Sequence, residues 1–157
     1  MGQESRRSVV FADRPRVEYV MLANHAEAVN GLLYIAGGGW TDHYRQITPG
    51  QPPPISQVGI ALSVYVPWSA TNRPLKLKVK FENDDGSELL KVDATLNTGR
   101  PPQLVPGAAQ HAALAFNFPL PFPKPGGYRV VATLDDAQDV VTWPFRVHDV
   151  QQHRLAS

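Results

Sequence analysis

The sequence predicts an all-β domain, a two-sheet antiparallel sandwich of about seven to nine strands. Three observations predict it. Leu75, Leu77, Val79 and Phe81 alternate with Lys76, Lys78, Lys80 and Glu82, the period of a strand with one face in a core and the other in water. Val58, Ile60, Leu62, Val64 and Val66 keep the same period over a longer run. No window keeps a helical period for more than about two turns.

Taken in chain order, the first strand is the apolar run from Val17 to Ala23, interrupted by one glutamate. Asn30-Gly31 is a type I′ hairpin signal before Leu32 to Ala36. Asn24 and Glu27 have capping-box spacing, so residues 24–29 read either as part of that hairpin or as a short helical turn. The runs at 58–66 and 75–82 follow. Asn83-Asp84-Asp85-Gly86 turns the chain into Leu89 to Leu96, where Leu89 and Leu90 leave the register open. Phe116, Phe118, Leu120 and Phe122 alternate with Asn117, Pro119, Pro121 and Pro123. Proline has no N–H to donate, so this segment is excluded from a sheet centre and reads as a blunted edge or a polyproline stretch beside the sheet. Pro125-Gly126-Gly127 leads into Tyr128 to Leu134, and Asp135-Asp136 into Val140 to Val147. The pattern sets one domain over 16–149 between tails at 1–15 and 150–157, immunoglobulin-like or similar in architecture.

Composition excludes several classes. The chain has 157 residues and no cysteine, which removes disulfides, thiolate zinc sites, iron–sulfur clusters and a cysteine nucleophile. The first ten residues contain two arginines and no apolar stretch behind them, so no secretory leader is expected. No run approaches the length of a membrane span. A cytoplasmic location is expected, with no membrane partner. The net charge of +1 gives no electrostatic case for nucleic acid. Charged residues make up 18% of the chain, against roughly 25% in an ordinary soluble domain, which points to surface covered by a partner.

Two groups of residues carry a resemblance. One is Leu32-Leu33-Tyr34-Ile35-Ala36-Gly37-Gly38-Gly39-Trp40 after the first apolar strand. The other runs from Phe122 through Pro125-Gly126-Gly127-Tyr128-Arg129-Val130 to Leu134-Asp135-Asp136 and Pro144-Phe145-Arg146-Val147. Together they resemble an uncharacterised bacterial family of single β-sandwich domains, a domain of unknown function, over residues 17–147. These are turn and strand signatures. The resemblance implies an architecture and brings no catalytic residues.

The candidate sites are few. Gly37-Gly38-Gly39 lacks the Gly-Lys-Ser/Thr of a phosphate-binding loop and the spacing of a dinucleotide fingerprint, and it reads as a strand end with close backbone approach. Trp40, Asp42, His43 and Tyr44 follow it. Aromatic and polar groups on one loop suit a small-ligand or carbohydrate platform, and the plainer reading has Trp40 plugging the end of the sandwich. The acidic turns at Asp84-Asp85 and at Asp135-Asp136 with Asp139 invite a calcium site. Counting strand crossings puts the two turns at opposite ends, so no metal is expected. The five histidines lack short metal-ligand spacing, and no nucleophile elbow is present. No enzyme and no cofactor are therefore expected. Gly59, Ala61, Ser63 and Tyr65 form an uncharged second face on the long strand. They read as an interface for a second copy of the chain or another protein, or else as a face covered by the chain itself. The leading expectation is a self-associating interaction module, and a ligand-binding module is the alternative.

Overall fold

Each apolar run of the sequence becomes a strand in the computed structural model, which describes residues 13–135 and 140–151. Nine strands form among them: β1 (Arg16–Val29), β2 (Leu32–Gly38), β3 (Asp42–Ile47), β4 (Ser56–Val66), β5 (Pro74–Asn83), β6 (Glu88–Asn97), β7 (Gln110–Leu120), β8 (Gly126–Leu134) and β9 (Val141–Gln151). A single 3-10 turn at Trp68–Ala70 joins β4 to β5. The strands make a four-stranded sheet in the order β2-β1-β4-β7 and a five-stranded sheet in the order β3-β9-β8-β5-β6.

One core lies between the sheets. Val58, Ile60, Leu62, Val64 and Val66 enter it from β4, and Leu75, Leu77, Val79 and Phe81 from β5, all buried. The lysine stripe of β5 faces away from it, as the alternation requires. The ambiguity at Leu89 and Leu90 is settled by a register shift in the β5–β6 pair beyond Phe81. Phe81 then opposes Leu90 and Leu75 opposes Leu96, while both Leu89 and Leu90 pack on the core. The proline-bearing segment lies at an edge: β7 ends its sheet and pairs only with β4, with Pro119 opposite Gln57.

Residues 24–29 form no helical turn. β1 runs unbroken through them into a two-residue turn, where Asn30 at φ 51° and Gly31 at φ 76° supply the left-handed pair of a type I′ hairpin. The expectation of an antiparallel sandwich fails at one place. Residues 42–47, read from sequence as a loop, form β3, which pairs in parallel with β9 from Asp42 opposite Arg146 to Ile47 opposite Gln151. The chain has crossed from one sheet to the other after β2, and only a parallel alignment lets β3 extend the second sheet in that direction. β9 correspondingly extends to Gln151, two residues past the expected domain boundary.

The middle of β4 is buried on both faces. Gly59, Ala61 and Ser63, which point away from the core, are buried like their inward neighbours. At Gly59 the cover comes from the chain itself. A Cβ placed there would lie 3.1 Å from the backbone of His25 and Ala26 and 2.9 Å from Asn117 Oδ1. The second half of β1 therefore arcs over the outer face of its own sheet. Asn117 holds it there: Ala26 N–H donates to Asn117 Oδ1 at 3.0 Å, and Asn117 Nδ2 donates to Ala26 O at 2.7 Å. A side-chain amide thus stands in for a neighbouring strand.

Leu77→Ala should cost about 2–5 kcal/mol, because it empties a fully enclosed site. Gly59→Ala should cost about 1–3 kcal/mol by overpacking, since backbone and not a flexible tip stands in the way. Urea denaturation of both variants against the parent measures each.

Candidate functional site

Trp40 sits at the junction where the chain leaves β2 for β3. Gly39 N–H donates to Leu22 O at 2.7 Å, which ties the end of the glycine run to β1. Gly37 and Gly39 both adopt φ values reserved in practice for glycine, at 59° and 85°. Trp40 is half-buried and packs on the core, with its ring edge-on to Phe145 at 5.6 Å. Its carbonyl accepts from Trp143 Nε1 at 3.0 Å. Its own Nε1 is buried without a partner.

The alternation of β3 then divides the remaining candidates. Asp42 and Tyr44 face solvent. Tyr44 is 66% exposed and stacks on His148 of β9, with ring centroids 4.7 Å apart. His148 Nε2 lies 2.8 Å from Asp42 Oδ1. That hydrogen bond, and a second from Thr41, hold the Asp42 carboxyl below the ordinary aspartate range. His43 faces inward, tilted against Trp40 and Phe122. Its Nε2 lies 2.8 Å from Ser56 Oγ. Burial, and then the charge of Arg45, push the imidazole pKa below its usual value, so His43 is neutral at neutral pH. The spacing to Ser56 is that of a nucleophile and its base. Ser56 is itself buried, and the pair satisfies two polar groups against an aromatic wall.

All four residues border one shallow depression of about 460 Å3, together with Asn24 and Gly37–Gly39. Trp40 and His43 form its aromatic floor, and Asp42 and Tyr44 its rim.

Sequence reasoning missed Arg45. It is 5% exposed, chelates both oxygens of Asp149, and donates from Nη1 to Phe122 O at 2.6 Å. A lone arginine in a stretch read as loop gives no sign of this, because Asp149 lies 104 residues further along. Next to it Tyr128, near the start of β8, donates its hydroxyl to Lys124 O. Burial raises the Tyr128 pKa above that of an ordinary phenol.

Asp84 and Asp135 lie at opposite ends of β5. Asp84 packs against Gly127, beside a cleft of about 440 Å3 lined by Asn83, Asp85, Ser87 and Lys124 among others. Asp135 instead receives Lys76 N–H at 2.8 Å and pairs with Arg73. Asp136 and Asp139 lie outside the described residues. Among the described residues, no group of three or more His, Asp or Glu is placed to hold a metal ion, and no helix is long and apolar enough to cross a membrane.

The interface candidates are largely occupied within the chain. Besides the cover at Gly59, Ser63 Oγ donates to Glu18 Oε1 at 2.8 Å, and His111 Nδ1 lies 2.6 Å from the same oxygen. Burial opposes the charge on Glu18, but the bonds to His111 and Ser63 outweigh it and lower its pKa. Tyr65 is half-buried, with the Arg16 guanidinium 4.1 Å from its ring centre and His111 edge-on. A second copy is not needed to bury this strand.

The family now follows from the comparison with known proteins. The model of a family of unknown function, DUF6941, matches residues 18–148. This chain belongs to that family. No curated protein is similar to it. Among solved structures, a β-glucuronidase from glycoside hydrolase family 2 is similar at 12% identity and a TM-score of 0.40, over 64% of this chain and 10% of that one.

Arg45→Met should cost about 3–5 kcal/mol, because it leaves Asp149 charged and without its partner. Acidification should also destabilise the family member through His43. Its folded pKa is lowered, so the unfolded chain binds the proton first. Stability should be unaffected above about pH 6.5, fall as pH drops below it, and level off once the folded pKa is passed. His43→Gln should flatten that part of the curve, as read from urea midpoints between about pH 7.5 and 5.

Proposed function

We propose that this protein is a non-enzymatic interaction module of immunoglobulin-like architecture, and that it binds an extended strand along the open edge of β2. Two features support the architecture. The β3–β9 parallel pair gives the second sheet an added parallel edge strand, and the Tyr128 hydroxyl reaches back to Lys124 O in the manner of a tyrosine corner.

The observation that carries the interaction reading is the state of β2. Among the described residues it ends its sheet, and no described strand lies beside one row of its backbone groups. Its seven residues include no charge and no proline. Leu32 and Tyr34 are 60% and 57% exposed. The other three edges are blunted: β3 carries Asp42 and Arg45, β6 carries Glu88, Lys91 and Asp93, and β7 carries Pro119. An uncharged open edge is the surface to which peptides add as an extra strand. A display library of random linear peptides should yield uncharged sequences with alternating apolar residues, and Tyr34→Lys should abolish their binding. Selection of no such peptides, together with an absence of self-association, would overturn the reading.

The Tyr44–His148 stack supports a second reading, a small-ligand or carbohydrate site. Two stacked rings beside a depression with polar groups at its rim are suited to a sugar face. Calorimetric titration with a saccharide panel should then show heat that Tyr44→Ala removes, and a silent panel would remove this reading.

A further inference from the structure

We infer that the strand received by β2 is β2 of a second copy, added antiparallel about a two-fold axis that passes between the two Tyr34 residues. This rests on the reading of β2 as the interaction edge and names its occupant.

The hairpin register determines which groups are free. In a two-residue hairpin the residues flanking the turn form a hydrogen-bonded pair, and such pairs alternate with non-bonded ones. Val29 opposes Leu32, Glu27 opposes Tyr34 and His25 opposes Ala36. The backbone groups of Leu32, Tyr34 and Ala36 are therefore spent on β1, and those of Leu33 and Ile35 point outward. Asn117 supports this register independently. Ala26 opposes Ile35, so its backbone should point away from β2, and both its N–H and its C=O do, into the Asn117 amide.

Self-pairing uses these groups without remainder. With Tyr34 opposite its own copy, Leu33 opposes Ile35 of the second chain and Ile35 opposes Leu33. Each of those pairs exchanges both N–H···O bonds. Leu32 then opposes Ala36. No charged residue meets its like, and the two tyrosines meet at the close, non-hydrogen-bonded spacing that favours aromatic pairs. The two four-stranded sheets become one continuous sheet. Exposed Leu32, Tyr34 and Ile35 lose water contact in doing so. Gly37, at φ 59°, departs from extended backbone within β2 and limits the pairing to the segment around Tyr34.

Sedimentation velocity on the full chain, from low micromolar to submillimolar concentration, tests the inference. The parent should sediment at twice the monomer mass. Tyr34→Lys, which sets two ammonium groups opposite each other, and Ile35→Pro, which removes an outward N–H, should sediment as monomers with an unchanged melting profile. The chain has no cysteine, so introduced ones report the register. Tyr34→Cys should form a disulfide-linked dimer under mild oxidation. Leu32→Cys alone should not, and Leu32→Cys combined with Ala36→Cys should. A parent that stays monomeric throughout, a dimer indifferent to Tyr34→Lys, or cross-linking as ready at position 32 as at 34 would overturn the inference. If the chain stays monomeric but the selected peptides bind at Tyr34, this inference falls and the edge-binding reading stands.

Discussion

β4 carries no charged residue, and the rest of the molecule is arranged to cover most of both its faces. A strand in a two-layer sandwich ordinarily gives one face to water. Here Val58 to Val66 feed the core on one side, while Gly59, Ala61 and Ser63 are buried on the other. The solution is local and inexpensive in chain length. β1 is 14 residues long, pairs with β4 through its first half, and then bends over it with β2 attached. Glycine at 59 permits the approach, and Asn117 satisfies the backbone groups that the bend would otherwise strand. Carrying the hairpin over the outer face of its sheet also leaves β2 as the terminal strand of that sheet among the described residues. The cover of β4 and the exposure of β2 are one event.

A second constraint acts at the far end of the same excursion. After β2 the chain must return to the body of the domain, and it does so by crossing to the other sheet as β3. Parallel pairing with β9 alone would leave this strand on an exposed rim. The buried Arg45 secures it, bridging the β9 carboxylate of Asp149 to the carbonyl of Phe122. Planar guanidinium geometry suits this bidentate role in a way an ammonium would not. Tyr128 and Phe145, stacked on each other, complete the wall beside it. The end of the sandwich holding Arg45 is thus closed by aromatic packing and one ion pair, and Trp40 caps it from the loop above.

The polar groups around these two devices are mostly in service to them. His43 is kept neutral against Ser56, and Glu18 is shared between Ser63 and His111 on the outer face. The exposed Asp42, Tyr44 and His148 differ in kind, because their mutual contacts enclose nothing. Asp42 and Tyr44 border the depression, and His148 stacks on Tyr44 beside it.

Much of this was legible in the residues themselves. Period-two alternation determined β4 and β5 and the inward set from Leu75 to Phe81. Asn30-Gly31 marked the hairpin turn, and the prolines marked β7 as an edge. Each of these follows from local stereochemistry, which acts within a few residues of the chain. The sequence also marked the second face of β4 as uncharged and in need of cover, without showing who supplies it. Tertiary structure alone decided that the hairpin does so, because the decision rests on Ala26 meeting an amide 91 residues away. It alone made residues 42–47 a parallel strand, since a parallel partner is never adjacent in sequence. It alone turned Arg45 from an unremarked loop residue into a buried anchor. Pattern is a local property, while pairing, burial of charge and the freedom of an edge depend on what the rest of the chain brings alongside.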